Sequence, residues 1–121
     1  MAVRVLVVDD LPFMRQALRD VLTEDSFEIV GEAEDGIEGI LRYAETHPDV
    51  VLLDIAMPRM DGLTALKKLM RLDAAARVIM CSALGEQSMI VKAIQLGARD
   101  FVVKPFRPER VVSAIRKVVK S

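Results

Sequence analysis

Five side chains that could do chemistry stand at the ends of apolar runs in this sequence. Asp9 and Asp10 follow the first run, and Asp54 ends a later run, "VVLLD". Two further runs end on a hydroxyl, Ser82, and on an amine, Lys104. A single acid in such a place is often a turn residue or a helix cap. Carboxylates, a hydroxyl and an amine that all end apolar runs indicate a shared site instead.

Three carboxylates that lie close together need a source of positive charge. At a separation of about 5 Å and an effective dielectric of about 20, each pair repels by roughly 3 kcal/mol. The three pairs together then oppose folding by about 10 kcal/mol, which is comparable to the stability of a whole domain. Proton uptake, splaying of the side chains or a bound cation relieves this repulsion. Because the candidate donors are all oxygens, a hard cation is favoured, and partial ligation by carboxylates suits Mg²⁺.

A carboxylate beside such a cation is a candidate acceptor of a phosphoryl group. Mg²⁺ would neutralise some of the phosphoryl oxygens, while Lys104 and the hydroxyl of Ser82 would contact the others. Aspartyl phosphate is a recognised covalent product of this chemistry. Asp54 is the preferred nucleophile because its run is expected at the centre of the fold. Asp9 and Asp10 then hold the metal.

The elements that must position these residues follow from an alternation along the chain. Short apolar runs, interpreted as strands, cover residues 4–8, 28–33, 50–54, 77–82 and 100–104. Amphipathic segments separate them, and this alternation predicts a parallel sheet with helices on both faces. Right-handed crossovers favour a flavodoxin-like, doubly wound α/β fold of type (βα)5 with strand order 2-1-3-4-5. Ligands of such folds bind outside the carboxyl ends of the strands, where the strand order reverses.

The amphipathic segments also predict which residues of the helices face the sheet. The inward residues predicted for the first helix are Phe13, Ala17, Leu18, Val21 and Leu22. Those predicted for the second helix, residues 36–46, are Ile37, Ile40, Leu41 and Ala44. The fourth segment, residues 87–96, contains more apolar residues than a surface helix needs.

Length, charge and cysteine content exclude several classes of protein. A chain of 121 residues fits one domain, and its net charge of −1 gives no overall attraction to nucleic acid or anionic lipid. The single cysteine, Cys81, excludes an internal disulfide framework and is expected to be buried and unreactive. The N-terminus lacks the features of a signal peptide, and no apolar stretch approaches the ~18 residues needed to cross a bilayer. We therefore expect a cytoplasmic monomer without membrane insertion or direct contact with nucleic acid.

The order of these motifs resembles the receiver domain of two-component signalling along the whole chain, residues 1–121. The matching segments are "VVDD", "LLDIAMPRMDG", the Ser82-Ala83 pair and "KPF". Within this family, "DDLPFMRQAL" and "CSALGEQSMIVKAIQLGARDFVVKPF" are most similar to stand-alone chemotaxis regulators of the CheY type. The segment "MPRMDGLTALKKLM" also resembles the receivers of chemotaxis methylesterases. A phosphatase of the haloacid-dehalogenase type would need D-x-D after the first strand, where this chain has "DDLPF".

The resemblance implies a phosphorylation-activated switch rather than an enzyme with a separate substrate. Asp54 would accept a phosphoryl group from a histidine kinase, which is the implied phosphodonor. Mg²⁺ would be bound by Asp10, Asp54 and the backbone carbonyl of Ala56, with Asp9 reached through a water molecule. The hydroxyl of Ser82 and the amine of Lys104 would contact the phosphoryl oxygens. The peptide bond before Pro105 is expected to be cis, a state that occurs almost exclusively before proline.

The family's switch couples the hydroxyl at Ser82 to the aromatic ring at Phe101. Many members carry Thr and Tyr at these two positions, so this chain lacks a methyl group and a hydroxyl there. We expect the ring to swing less as a result. Ala56 and Leu84 occupy positions where a polar side chain can help to position the water of dephosphorylation. Because both residues are apolar, we expect the lifetime of the phosphoryl group to differ from that of members with polar residues.

The resemblance also predicts an output surface on the fourth helix, the fifth strand and the fifth helix. Its expected residues are Ile90, Ile94, Phe101 and Lys117, and a partner helix with an acidic flank would suit them. The flagellar motor switch is the first candidate partner. A phosphorelay intermediate or phosphate sink, and the excised receiver of a larger regulator such as a methylesterase, are the alternatives. The end of the sequence directly after the fifth helix favours the stand-alone interpretations.

Overall fold

The computed structural model describes residues 2–83 and 87–120, and within them five strands alternate with five helices. The strands are β1 (Arg4–Val8), β2 (Glu28–Ala33), β3 (Val50–Asp54), β4 (Val78–Ala83) and β5 (Asp100–Lys104). All neighbouring strands are parallel, in the order β2-β1-β3-β4-β5. The predicted fold class and strand order are therefore confirmed, and β4 begins one residue later than the sequence indicated.

The central strand β3 is buried along its whole length because helices cover both faces of the sheet. Alternate residues of β1 point into different clusters. Val5 and Val7 belong to a core on one face, whereas Leu6 and Val8 belong to a core on the other. This two-sided burial explains why the strands appear in the sequence as continuous apolar runs rather than as alternating ones. The carboxyl ends of these parallel strands lie together at one edge of the buried sheet.

Helices return the chain between successive strands and follow the last one. They are α1 (Pro12–Glu24), α2 (Gly36–Thr46), α3 (Gly62–Leu72), α4 (Gln87–Leu96) and α5 (Pro108–Lys120). Asp35 caps the start of α2, where its side chain accepts a hydrogen bond from the amide of Glu38. Asp61 caps α3 in the same way, with the amide of Thr64 as donor. Among residues 2–83 and 87–120, no helix combines the length and the apolar character that a membrane span requires.

The predicted inward face of α2 is correct only at Ile40, which is partly buried and packs against the core that contains Leu6 and Val8. Ile37 and Leu41 are 45% and 57% exposed, and Ala44 is exposed as well. The buried residues of this helix are Gly36, Gly39 and Tyr43.

Close approach of α2 to the sheet explains this rotation. A Cβ at Gly39 would lie 3.1 Å from a methyl group of Val8, so the missing side chain lets the helix backbone pack directly on β1. Glycine has no side chain, so a pattern of apolar side chains does not indicate where a glycine packs against the sheet. The helix is therefore rotated about its axis relative to the predicted orientation.

Two further sequence predictions concern single side chains. Phe13, in the first turn of α1, is 67% exposed rather than buried. Leu18, Val21 and Leu22 of the same helix are buried as predicted. Cys81 is buried as predicted, and its burial raises the pKa of the thiol to about 12.

Candidate functional site

Three carboxylates meet at the carboxyl edge of the sheet. Asp9 and Asp10 follow β1, and Asp54 ends β3, its neighbour in the sheet. One oxygen from each carboxylate lies within 4.8 Å of one oxygen of each of the others. Asp9 and Asp54 are buried, whereas Asp10 is partly exposed. This grouping follows from the parallel sheet, because the ends of neighbouring parallel strands share an edge.

Lys104 supplies positive charge inside this cluster. Its Nζ lies 2.8 Å from Oδ2 of Asp9 and 3.1 Å from Oδ1 of Asp54. Burial alone would lower the pKa of Lys104, but its hydrogen bond with Asp9 and the charges of Asp54 and Asp9 outweigh that effect and raise it. The lysine therefore stays protonated and offsets part of the repulsion among the acids. The sequence predicts a contact between Lys104 and phosphoryl oxygens, but no motif in it indicates this bridge.

Asp54 is more basic than an ordinary aspartate. Burial raises its pKa to about 6, and the charge of Asp9 adds to the effect, while the charge of Lys104 acts against it. The backbone amide of Ile55 also donates to Oδ1 of Asp54, at 2.9 Å. The carboxylate is therefore held in one orientation and remains mostly ionised at neutral pH, both of which suit a nucleophile.

Ser82 lies in β4, the strand between those that carry Asp54 and Lys104. The residue is fully buried, and its Oγ has no hydrogen-bond partner among the described residues. A buried hydroxyl without a partner is costly, so such groups commonly serve a bound ligand or water. The hydroxyl thus fits the predicted contact with a phosphoryl oxygen.

The loop after Asp54 is closed tightly at its base. The amide of Gly62 donates to the carbonyl of Ile55 at 2.7 Å, and Ala56 lies exposed just beyond this closure. A Cβ on Gly62 would lie 2.0 Å from the carbonyl oxygen of Asp54, so any other residue would collide with the backbone. Glycine at this position holds the start of α3 against the end of β3.

Arg15 is a residue of this site that the sequence analysis missed. Its guanidinium donates to the backbone carbonyl of Asp9 at 2.6 Å and lies 3.4 Å from Glu32. Two hydrogen bonds from Arg19, at 2.8 and 2.9 Å, hold Glu32 in turn, and they lower its pKa. Arg15 and Glu32 thus link α1 and β2 to the loop after β1. This link depends on contacts between long side chains, so the spacing of residues in the sequence does not predict it.

The residues predicted for a partner surface divide between exterior and interior. Ile94 is 44% exposed, and Lys117 is exposed on α5. Phe101 is partly buried and packs against the core that contains Leu6 and Val8. Ile90 is 9% exposed, because it lies on the inward side of α4, and this corrects its assignment to an accessible surface. Leu84, expected to affect dephosphorylation, lies outside the described residues.

Comparison with known protein families identifies the type of domain. The model of the response regulator receiver domain matches residues 5–116. The chain belongs to this family. A chemotaxis protein CheY from Bacillus subtilis is 54% identical to this receiver domain, over 98% of this chain and 99% of the relative. A chemotaxis protein CheY from Thermotoga maritima is 50% identical, over 99% of this chain and 100% of the relative.

Solved structures agree with the fold of the receiver domain. CheY in the crystal structure of the CheX-CheY-BeF3-Mg+2 complex from Borrelia burgdorferi superposes with a TM-score of 0.92 at 39% identity. That match covers 96% of this chain and 88% of the other. The protein is thus the receiver domain of a CheY-like chemotaxis response regulator, a signalling component of a two-component system. Receiver domains bind Mg²⁺ in an acidic pocket, and the three carboxylates form a cluster that could hold a metal.

Proposed function

We propose that this receiver domain is a switch in which Asp54 accepts a phosphoryl group from a histidine kinase, with Mg²⁺ bound at the same site. One observation carries the proposal: an orientated, partly desolvated carboxylate at the end of the central strand contacts a protonated lysine within a cluster of acids. The similarity to chemotaxis proteins CheY supports the histidine kinase as donor. The proposed location of the domain is the cytoplasm.

The metal would be held by oxygen ligands from two loops. Asp10, Asp54 and the backbone carbonyl of Ala56 would bind Mg²⁺ directly, with Asp9 reached through water. When bound, Mg²⁺ supplies positive charge that stabilises the charge of a transferring phosphoryl group. The donor set fits this ion because carboxylate and carbonyl oxygens are the ligands that hard cations prefer. Arg15 would keep the loop of Asp9 in place through its bond to the carbonyl of that residue.

Phosphoryl transfer would use three side chains of this chain. A carboxylate oxygen of Asp54 would attack the phosphorus of a phosphohistidine, forming a P–O bond as the P–N bond breaks. The leaving imidazole would keep the electron pair of that bond and take up a proton from solvent. Lys104 and the hydroxyl of Ser82 would contact the phosphoryl oxygens, where positive charge and donated hydrogen bonds act on the developing charge.

Signal output would follow from movement of Ser82 toward the new phosphoryl group. Its hydroxyl has no partner to give up among the described residues, so a phosphoryl oxygen would satisfy it. The movement would leave space for the ring of Phe101, which packs at the edge of the core, to turn further inward. The altered surface would include Ile94, Phe101 and Lys117 and would bind the flagellar motor switch.

Beryllofluoride, a mimic of the phosphoryl group, offers a direct test. The domain would be passed over an immobilised kinase phosphotransfer domain and over an immobilised motor-switch peptide, with and without the mimic. We expect the mimic to strengthen binding to the motor-switch peptide, and Asp54→Asn to abolish that increase. Binding to the peptide that the mimic leaves unchanged would contradict the motor role and favour a phosphorelay intermediate or phosphate sink. In a separate incubation with the phosphorylated kinase domain, absence of phosphoryl transfer to this chain would contradict the proposal itself.

A further inference from the structure

The loop that follows Asp54 is attached at its tip to the start of α2. The backbone amide of Gly36 donates to the carbonyl of Met60 at 3.1 Å. Next to this bond, Nε of Arg59 donates to Oδ2 of Asp35 at 2.7 Å. A Cβ at Gly36 would lie 2.8 Å from that carbonyl oxygen of Met60, so the two backbones meet closely here. The attachment thus combines a backbone contact with a pair of opposite charges.

Asp35 uses both of its carboxylate oxygens in this attachment. Oδ1 accepts a hydrogen bond from the amide of Glu38 at 2.9 Å and so caps α2, while Oδ2 accepts from Arg59. The residue is 2% exposed, although the side chain of Arg59 lies largely in solvent. The amide of Glu38 and the guanidinium of Arg59 together lower the pKa of Asp35. A buried carboxylate held by a helix terminus and an arginine is a fixed point for the loop.

The backbone at Arg59 adopts a conformation that a residue with a side chain rarely takes. Its φ is +63°, and the amide of Met60 donates to the carbonyl of Pro58 at 2.6 Å across it. A three-residue turn around a residue with positive φ is strained, and glycine would relieve that strain. Arginine at this position indicates that its side chain contributes something glycine would not.

The base and the tip of the loop are therefore fixed by different contacts. At the base, Gly62 bonds to the carbonyl of Ile55, and Ala56 follows directly after that closure. At the tip, Arg59 bonds to Asp35. The carbonyl of Ala56 lies on the chain between these two points. Its position thus depends on both of them.

We infer that Arg59 is a positioning residue, which fixes the carbonyl of Ala56 for metal binding through its bond to Asp35. This inference rests on the proposed function, because it assigns a role to the loop in that same metal site. Partners that orient metal ligands commonly affect metal affinity although they do not touch the ion. The alternative is that the Arg59–Asp35 pair serves α2 alone, in which case its loss would leave the metal site unchanged.

Calorimetric titration with MgCl₂ alone separates these roles. Arg59→Gly removes the side chain and suits the positive φ, so this variant is expected to fold. Asp35→Asn retains an oxygen that can cap α2 but removes the negative charge facing Arg59. We expect each variant to bind Mg²⁺ about tenfold more weakly than the parent, the lower end of the effect of losing such a partner. The double variant should bind no more weakly than either single one.

Two matched variants complete the design. Arg59→Lys keeps the positive charge and should bind Mg²⁺ more tightly than Arg59→Gly. Arg42→Gln removes an arginine of α2 that pairs with Glu45, away from the loop, and should bind like the parent. Equal Mg²⁺ affinity of Arg59→Gly and the parent, or additive losses in the double variant, would overturn the inference.

A second measurement keeps the inference separate from the proposed function. Hydrogen exchange of the Gly36 amide reports the contact with Met60 without any metal, and Arg59→Gly should accelerate it. Unchanged exchange would overturn the role of Arg59 at the tip. Failure of the parent to bind Mg²⁺, together with accelerated exchange in Arg59→Gly, would contradict the proposed metal site while leaving the attachment of the loop in place.

Discussion

The ammonium group of Lys104 lies 3.1 Å from Oδ1 of Asp54, although the two residues belong to strands separated by β4. The same nitrogen lies 2.8 Å from Oδ2 of Asp9, so one lysine bridges two of the three acids. Mutual repulsion of the carboxylates is thus reduced within the protein itself. Because Lys104 contacts the proposed phosphoacceptor directly, its charge is already placed where a phosphoryl group would arrive.

Removal of this lysine should destabilise the domain. Lys104→Met leaves two buried carboxylates without their cation, and breaking a buried pair in this way costs about 3 kcal/mol of unfolding free energy. Added Mg²⁺ should recover part of that loss, because the ion would bind the same acids. Urea unfolding at neutral pH, with and without MgCl₂, measures both effects.

The exposed Lys68 of α3 supplies the control for that experiment. Lys68→Met should leave the unfolding free energy within about 0.5 kcal/mol of the parent, as is usual for surface substitutions. A loss in Lys104→Met that equals that of this control would contradict the role of Lys104 as an internal cation.

Gly62 should tolerate no side chain. In Gly62→Ala the new Cβ would lie 2.0 Å from the carbonyl oxygen of Asp54, and backbone atoms cannot move aside as a flexible side chain can. We expect a loss of at least about 2 kcal/mol in unfolding free energy. Gly31→Ala is the matched control, because the nearest atom to its Cβ would be a side-chain methyl group of Leu6, at 3.2 Å, rather than a backbone atom. Equal stabilities of the two variants would show that the loop after β3 can shift freely.

The sequence predicted the elements well because their signals are local and repeated. The bounds of four strands and of α2 agree with the structure, and the ends of β1 and β3 bring Asp9, Asp10 and Asp54 together as expected. The bond before Pro105 is cis, also as expected. These outcomes depend on periodicity and on the geometry of parallel strands, both of which a single sequence displays.

The features that the sequence did not reveal depend on contacts between side chains that are distant along the chain. The bridge from Lys104 to Asp9 joins residues at opposite ends of the chain, and the bond from Arg59 to Asp35 crosses between two loops. The burial of Gly39 rather than Leu41 reflects close packing of a helix backbone on the sheet, which hydropathy does not record.

The contribution of Asp35 to stability should disappear in acid. The pKa of Asp35 is below its ordinary value of 3.8 in the folded protein, so the ionised form stabilises the fold above that value. The stabilisation is lost as the pH falls through the lower, folded-state pKa. Asp35→Asn should therefore be less stable than the parent at neutral pH by about 1 kcal/mol, the usual value of one hydrogen bond.

Urea unfolding across a series of pH values tests this expectation. The difference between Asp35→Asn and the parent should be constant from about pH 7 to pH 5 and should shrink below about pH 4. A difference that grows in acid would mean that the carboxylate is not stabilised in its ionised form.

The small side chain of Ala56 should prolong the phosphorylated state. Ala56 is exposed two residues after Asp54, and an asparagine there would place an amide that can orient an attacking water. We expect Ala56→Asn to shorten the lifetime of the phosphoryl group severalfold, as measured by loss of label after removal of the donor. Ala56→Val, which adds bulk without a polar group, is the control. Equal lifetimes in the parent and Ala56→Asn would contradict this role.

The central claim is that Asp54 carries the phosphoryl group. Intact-mass spectrometry after incubation with acetyl phosphate and MgCl₂ tests it most directly, and peptide mapping then locates the modification. We predict that the parent gains the mass of one phosphoryl group on the peptide that contains Asp54, and that Asp54→Asn, confirmed to be folded by circular dichroism, gains none. A phosphoryl group retained by Asp54→Asn, or mapped to another residue of the parent, would contradict the account.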